Sequence, residues 1–572
     1  MKKTIKKSGQ KIIKKLSRAG QKASEKSKKH LKTHFVERLA NVKGVRLWIL
    51  EWLLLVSAVI LFAVIQQIWY RNSFETKTFA SGGSYTEGTV GTISSMNPLF
   101  ANTNSEKTLS KLLFSSLFSV DASGKLGTEL ADTLKIDSTV KKNLKWSDVK
   151  TLDANDVIFS FNLIKNPAAK TSFSSYFSSV KIQQIDDLSF SFVLPTAYPA
   201  FRDLLDFPIL PEHILGSIDP ALIYEKSFST KPIGSGPFLL NATQSSATGS
   251  TVYLSKNPNY FRGTTMLSSF TLRTYANSSQ IIDAINRSEI TATAELSDIV
   301  NPAISNKAFY KKETPLSGGV FAFLNTDSAL LSSKKVRQAI QQGIDVREIR
   351  DKISSTSALD YPILSQQMDL KFPELAKTEK EAAIKNIKES NIDLKNNRLQ
   401  IATLSSGNLV DAANILKAQL EALGFAVDVT TYDKEIAAKE FFPNVIQPRA
   451  YDILIYKIDL GIDPDPFAYY HSSQASTSGF NFSNYQNSLV DDILLSARNT
   501  FNDSLRTAKY ESFLRYWVSD VPAIGLYQDS LSYYFNRNTR NFSENSVLSS
   551  STDRFSDILY WASEKSSKNR TP

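Results

Sequence analysis

The side chains that most often perform catalysis or bind metals are scarce in this chain. Its four histidines, His30, His34, His213 and His471, do not lie in an HExxH or similar metal-binding spacing. The absence of cysteine excludes disulfides, thiolate metal sites and a thiol nucleophile. Neither a GxxxxGK[ST] phosphate loop nor a GxSxG nucleophile elbow occurs. These observations predict a protein that is not an enzyme and that uses no cofactor.

Three aspartates lie close together in the sequence, within residues 459–465. Asp459, Asp463 and Asp465 follow a strand-like run, but they lack the ligand spacing and the acidic last position of an EF-hand loop. A calcium site and a turn rich in Asp and Pro at a domain edge both remain open, and the turn is the more ordinary interpretation. A hydrolase built on Asp459 and Asp463 would lack a histidine partner, which makes that hypothesis weak.

Charge divides the chain into two unequal parts. The 572 residues carry a net charge of +11, and 42% of them are hydrophobic, as in a globular protein of more than one domain. Residues 1–46 contain sixteen Lys or Arg against two Glu, which leaves 51 basic and 54 acidic side chains in the remainder. Because the larger part is nearly neutral, a nucleic-acid-binding function loses its main support.

The run from Leu47 to Ile68, LWILEWLLLVSAVILFAVIQQI, predicts a transmembrane helix over Leu47 to Tyr70. At about 1.5 Å per residue it spans roughly 33 Å, and Glu51 is its one charged residue. The basic residues before it predict a cytoplasmic N-terminus and place everything after Tyr70 outside a cell membrane crossed once. A cleaved signal peptide and a buried core helix are the alternatives.

The segments on either side of the apolar run are polar. Apolar residues at loosely helical spacing within residues 3–40 are compatible with a basic helix on anionic lipid, and equally with a solvated tail that only sets topology. Residues 71–83 contain Gly82 and Gly83 and form a predicted tether.

Beyond the tether, helix-like and strand-like stretches alternate, which predicts α/β domains. Residues 398–432 are interpreted as strand, helix and strand, with Gly424 at the helix C-cap and another strand starting at Tyr451. A strand pair is predicted over residues 181–194 around Asp186 and Asp187, and residues 158–164 continue a helix.

Eight segments in order, from GTISSMNPLF (91–100) to YKIDLGIDPDPF (456–467), resemble one family: the extracytoplasmic solute-binding proteins that deliver peptides, nickel and related solutes to ABC importers. The stretch KWSDVKTLDANDVIFSFNLI is similar to the most recognisable signature of the family. The order of the segments over residues 86–542 is more specific than any one of them. The matching segments are GTISSMNPLF (91–100), KLLFSSLFSVDASGKLGTELADTL (111–134), KWSDVKTLDANDVIFSFNLI (145–164), FPILPEHIL (207–215), PIGSGPFLL (232–240), LSKNPNYFRG (254–263), VFAFLNTDSALLSSKKVRQAIQQGID (320–345) and YKIDLGIDPDPF (456–467).

The resemblance implies a two-lobed, periplasmic-binding-protein-like α/β fold of type II with an extra inserted domain, preceded by the transmembrane helix. A solute would be enclosed at the hinge as the lobes close. The implied partners are a peptide or other small solute, and ABC permease and ATPase subunits in separate chains, with the receptor itself a monomer. By analogy, lobe I comprises residues 84–107, 206–312 and 523–565, the inserted domain 108–205, and lobe II 313–522.

The same resemblance supplies five candidate ligand contacts, because peptide-binding relatives take up the ligand as an extended strand between the lobes. They are Asn104 in lobe I and Tyr456, Ile458 and Asp459 in lobe II, with Phe467 lining a side-chain pocket. For each residue, packing in the core or on an edge strand is the structural alternative.

Departures from the family pattern are concentrated at this site. Relatives commonly carry Trp and Asp, the latter binding a peptide amine, where this chain has Lys457 and Leu460. Asp459 could replace that Asp only if the chain bulged, since a one-residue slip turns a strand side chain to the other face. Val149 and Ser288 also stand where relatives often have Gly. A diverged scaffold or sensor that keeps the fold without the ligand is therefore the alternative function.

Overall fold

The computed structural model contains helices α1–α12 and strands β1–β17 within the residues that it describes. These are residues 25–26, 28–29, 37–132, 137–171, 177–225, 227–246, 249–297, 302–353, 357–390, 394, 397–543 and 548–569. The predicted lipid-binding helix of residues 3–40 lies almost wholly outside them. The helices are α1 (Glu37–Phe74), α2 (Asn104–Leu113), α3 (Ala154–Ile164), α4 (Glu212–Leu215), α5 (Ser278–Asn286), α6 (Lys334–Gly343), α7 (Val346–Lys352), α8 (Lys380–Glu389), α9 (Gly407–Ala422), α10 (Phe467–Tyr470), α11 (Ser488–Arg498) and α12 (Asp503–Asp520).

Most of the strands are short, but two of them are long. The strands are β1 (Glu75–Ala80), β2 (Ser84–Val90), β3 (Phe118–Val120), β4 (Leu126–Thr128), β5 (Asp137–Thr139), β6 (Lys181–Gln184), β7 (Ser189–Val193), β8 (Phe238–Ser246), β9 (Gly249–Lys256), β10 (Ser269–Tyr275), β11 (Ala292–Thr293), β12 (Phe309–Leu324), β13 (Arg398–Leu404), β14 (Ala426–Tyr432), β15 (Ile453–Asp459), β16 (Ala523–Asn536) and β17 (Glu564–Asn569).

The chain divides into two compact units, one of which contains the apolar helix. This unit comprises residues 1–78 and 565–572 and includes α1. Within α1, the 22 residues Trp48–Trp69 have a mean hydropathy of 2.5, and none of this stretch is buried. The predicted apolar helix is therefore confirmed as a helix long enough to cross a membrane.

The other unit, Phe79–Glu564, is organised around one ten-stranded sheet. The strand order is β14-β13-β15-β12-β16-β11-β2-β10-β9-β8. The two central strands, β12 and β16, pair antiparallel from Phe309 and Asn536 at one end to Phe323 and Ala523 at the other. Because these two strands are long, they run from one half of the sheet into the other.

The pairing of β12 with β16 is interrupted in the middle. A register shift separates Pro315 from Gly319, and a second one follows Val320. Proline has no N–H to donate to the ladder, and a Cβ at Gly319 would lie 2.6 Å from the Tyr527 carbonyl oxygen. The sheet therefore has a local irregularity at the place where the two halves meet.

Separate hydrophobic cores flank this irregularity. One core joins residues from β2, α3, β10 and the C-terminal segment, including Tyr85, Phe161, Phe270 and Trp561. Two other cores cover opposite faces of β12, β13 and β15. We call the part around the first core (79–314 and 531–564) the first lobe and the part around the other two (320–527) the second lobe. The expected two-lobed α/β architecture is confirmed.

The domain boundaries inferred from the sequence remain predictions, but the cores refine them. The predicted inserted domain contributes Trp146 and Phe161 to the first core, so it packs with the first lobe. The predicted boundary after residue 312 falls inside β12. Ile524 and Leu526, which were assigned to lobe I, pack into a core of the second lobe.

Local predictions based on turn chemistry are confirmed. Strand β13, helix α9 and parallel strand β14 form the expected unit, and Gly424 has a φ of +101° just beyond the helix. Strands β6 and β7 form the predicted pair, and Asp186 Oδ1 accepts from the Leu188 and Ser189 amides at 2.8 Å. Helix α3 starts at a capping box of Asp153 and Asp156.

Candidate functional site

Strand β15 presents two different faces at its C-terminal end. Ile458 is buried in a core of the second lobe, and the Tyr456 ring lies 5.6 Å from that of Phe482 on the same face. Lys457 and Asp459 point to the opposite face, because side chains alternate along a strand. The pairing with β12 is regular through Asp459, so the bulge that would turn Asp459 to the other face is not present.

The face of Lys457 and Asp459 is charged. The Lys457 ammonium forms an ion pair with Asp529 of β16. The Asp459 side chain is exposed to solvent. The surrounding protein nevertheless removes part of the water around its carboxyl, which raises the pKa of Asp459, and the nearby Asp529 carboxylate raises that pKa further. Lys457 and Lys107 act in the opposite direction. Since Lys107 belongs to α2, the electrostatic interaction with Asp459 crosses from the first lobe to the second.

Asn104 lies in the first lobe, on the same helix as Lys107. It is the first residue of α2, and its Nδ2 donates to both carboxylate oxygens of Glu295 at 3.3 Å. Thr89 Oγ1 donates to the same carboxylate at 3.0 Å. Burial raises the pKa of Glu295, and these hydrogen bonds partly offset the shift. We call Asn104 and Glu295, together with Lys107 one turn further along α2, the polar wall.

A dense set of hydrogen bonds fixes the start of α2. Thr103 caps the helix, and the Glu106 carboxylate accepts from the amides of Thr103, Asn102, Ser94 and Ser95 at 2.9–3.2 Å. A carboxylate in the first turn also suits the positive end of the helix dipole. The Asn104 side chain is therefore presented by a rigid element.

A buried ion pair lies within the first lobe. Arg554 pairs with Glu87 of β2, and their side chains are 3% and 2% exposed. Tyr533 donates to the same carboxylate at 3.1 Å. Arg554 also lowers the pKa of Glu295 electrostatically, so the pair contributes to the field at the polar wall.

Phe467 lies in a different cluster. Its ring stacks on His471 with centroids 4.1 Å apart, and the Arg498 guanidinium lies 4.4 Å from the ring centroid. Arg498 also pairs with Asp465 at 3.1 Å, and Arg506 Nη1 donates to Asp463 Oδ2 at 2.6 Å. Because Asp463 and Asp465 are each bound by a guanidinium, the turn interpretation is favoured over the calcium site and the hydrolase.

The structure thus places Tyr456, Ile458 and Asp459 on one strand of the second lobe, and Asn104 on α2 of the first lobe. Phe467 packs between a histidine and an arginine instead. Sequence reasoning missed Glu295 and Asp529, which are far from their partners along the chain. A lone carboxylate near a strand end is a weak signal when its partner lies about 190 residues away, as for Glu295 and Asn104.

Two departures from the family pattern have a structural counterpart. Val149 and Ser288 have φ values of 68° and 57°, the left-handed region that favours glycine. Leu460, where relatives commonly have Asp, is buried in a core of the second lobe. The backbone at Val149 and Ser288 therefore adopts a conformation that favours glycine, and Leu460 places an apolar side chain at its position.

Comparison with known proteins gives one consistent result. The family described as bacterial extracellular solute-binding proteins, family 5 (middle), matches residues 120–481. The oligopeptide-binding protein AppA of Bacillus subtilis is 25% identical over 475 residues, which cover 78% of this chain and 86% of AppA.

Solved structures show the same fold. AppA of B. subtilis in complex with a nonapeptide superposes with a TM-score of 0.68 at 21% identity, covering 85% of this chain and 99% of that one. The ABC transporter substrate-binding protein CtaP of Listeria monocytogenes gives 0.74 at 24% identity, covering 85% and 100%. NikZ of Campylobacter jejuni, in complex with Ni(L-His), gives 0.68 at 20% identity, covering 84% and 99%. The chain belongs to the family 5 bacterial extracellular solute-binding proteins.

Proposed function

We propose that this protein is a membrane-anchored receptor that captures a peptide-like solute between its two lobes and delivers it to an ABC importer. The observation that carries the proposal is a polar group on each lobe, Asn104 with Glu295 on the first and Asp459 beside the Lys457–Asp529 pair on the second, on lobes that share β12 and β16. Closure of the lobes would place a solute against both groups at once.

The geometry of β15 supports an extended ligand. Its pairing with β13 involves Ile453 and Leu454, whereas its pairing with β12 continues to Asp459. A strand added beside residues 456–459 would gain main-chain hydrogen bonds that require no particular sequence. Ile458, whose side chain is buried, would contribute through its backbone, and Tyr456 and Phe467 would border side-chain pockets.

Asp459 is the proposed contact for a cationic group of the solute. A carboxylate that has lost part of its water gains from a bound ammonium through a charge-assisted hydrogen bond. Since Leu460 provides no carboxylate, this contact would lie on the opposite face of the strand from the one that relatives commonly use.

The anchor is proposed from α1. Its apolar stretch Trp48–Trp69 follows the strongly basic N-terminal segment, which favours a cytoplasmic N-terminus and an extracytoplasmic Phe79–Glu564 unit. The permease and the ATPase would be separate chains.

Native mass spectrometry of the full-length chain, released from detergent, tests this function. We expect the protein to retain a peptide from a mixed pool, and Asp459→Asn to lose most of it. Asp492→Asn, at an exposed carboxylate of α11, is the matched control and should bind like the wild type. A protein that stays empty with every pool, and is not stabilised thermally by any, would instead support the diverged scaffold or sensor.

A further inference from the structure

The first lobe contacts the second at a place separate from β12 and β16. Tyr198 stands directly before the 3-10 segment Pro199–Leu205, and the Arg498 guanidinium of α11 lies 4.7 Å from its ring centroid. Arg498 Nη2 also donates to the Tyr198 hydroxyl at 3.4 Å. This contact joins the first lobe to the second, in addition to the strands β12 and β16 that the two lobes share.

Both sides of the contact are fixed to their own lobe. Phe201 and Leu205 are buried in the first core, where the Phe201 ring packs on Phe177 and Phe192. On the other side, α12 buries Tyr510 in a core of the second lobe. The Tyr198–Arg498 contact therefore depends on the position of one lobe relative to the other, and not on the conformation of a loose loop.

Arg498 is the centre of this contact. It pairs with Asp465, stacks on Phe467 and reaches Tyr198. Two of these partners lie in its own lobe, so the arginine is held in place before it meets the first lobe. A planar guanidinium between two rings and a carboxylate is a specific arrangement that Lys cannot reproduce.

We propose that the Tyr198–Leu205 segment and the Asp463, Asp465, Phe467, Arg498 and Arg506 cluster form a latch that holds the two lobes together, and that acid tightens it. This latch concerns the contact between the two lobes, and it goes beyond the solute-capture function proposed above.

The acid dependence follows from Asp203, which is half-buried in the latch. Burial, and then the neighbouring Asp463 carboxylate, raise the pKa of Asp203 to about 7, although Arg202 and Arg506 oppose the shift. The remaining charged groups of the cluster are Asp465 and Arg498, which pair with each other.

When the lobes separate, Asp203 regains water and moves away from Asp463, so its pKa returns toward the ordinary value for Asp. The latched state therefore binds the proton more tightly and is favoured as pH falls through about 7. Between pH 8 and pH 6 the ratio of latched to open molecules would rise by up to about tenfold.

The absence of cysteine makes the test direct. Cysteines introduced at exposed Lys181, in β6, and Lys385, in α8, can carry two fluorophores on opposite lobes of the full-length chain in lipid nanodiscs. Single-molecule energy transfer, measured without solute, then gives the latched fraction at pH 6 and pH 8.

We expect the wild type to shift toward the latched state at pH 6. Asp203→Asn should be latched at least as much as the wild type at pH 6, and equally so at both pH values, because the amide is uncharged. Arg498→Ala, and the milder Arg498→Lys if the first variant does not fold, should lower the latched fraction at both. Arg347→Ala, at an exposed ion pair with Asp345 in the second lobe, is the matched control and should behave like the wild type.

Identical wild-type distributions at pH 6 and pH 8 would overturn the acid dependence, and an unchanged distribution in both Arg498 variants would overturn the latch. Because no solute is present, a failure of peptide binding leaves these outcomes unaffected.

Discussion

Two ion pairs of this molecule, Glu87 with Arg554 and Lys457 with Asp529, differ in what surrounds them. The first is 2–3% exposed inside the first lobe, whereas the Lys457 side chain is 52% exposed and Asp529 20%. Breaking a buried pair leaves an uncompensated charge without water, but an exposed pair can exchange its partner for solvent or for a solute. The buried Glu87–Arg554 pair is therefore expected to stabilise the fold, whereas the more exposed Lys457–Asp529 pair is accessible to a solute.

The largest expected effect comes from breaking the buried pair. Glu87→Gln leaves Arg554 buried without its carboxylate, and we expect the free energy of unfolding to fall by about 3–5 kcal/mol. Urea denaturation followed by tryptophan fluorescence measures it. Asp428→Asn, which breaks the exposed Arg398–Asp428 pair, should change little. Equal losses in the two variants would contradict the distinction based on burial.

Lys457→Met tests the other half of the comparison. The exposed pair contributes less than about 1 kcal/mol to stability, so the variant should unfold almost like the wild type. Its affinity for the captured peptide should change on the order of tenfold, which corresponds to about 1.4 kcal/mol. Isothermal titration calorimetry with the peptide identified by mass spectrometry measures the change. A large loss of stability without a change in affinity would reverse the roles of the two pairs.

The smallest expected effect concerns strain and not charge. Val149 has a left-handed backbone and is 59% exposed, so Val149→Gly relieves about 1–2 kcal/mol of strain and loses little packing. The greater freedom of glycine in the unfolded chain offsets about 0.5–1 kcal/mol. We expect a net gain of up to about 1 kcal/mol in urea denaturation.

Val193→Gly supplies the control for this change. Val193 is 43% exposed and lies at the end of strand β7, where glycine should destabilise the protein. If both glycine variants destabilise the protein equally, the backbone at Val149 does not hold the strain on which the prediction rests.

The sequence predicted those parts of the fold whose signals are local. Gly424 after an apolar helix indicated a helix end, and Asp186 between two alternating runs indicated a tight turn. The two-lobed architecture came from the order of several motifs, because no single segment specifies it.

The parts of the site that depend on contacts between distant residues could not be predicted. Arg554 and Glu87 are 467 positions apart, and Asn104 meets Glu295 across 191 positions. A sequence pattern does not encode such pairings, since many other carboxylates were equally possible. The registers of β12 and β16 around Pro315 likewise depend on packing against both lobes.

The sharing of one sheet by both lobes has a consequence for the modularity of the protein. A cut between the lobes would sever both β12 and β16 and would leave each lobe with only part of the strand pair. Short, isolated strand pairs are only marginally stable. Neither lobe is therefore an independent building block, and fusion or domain exchange would succeed only with the whole sheet transferred intact.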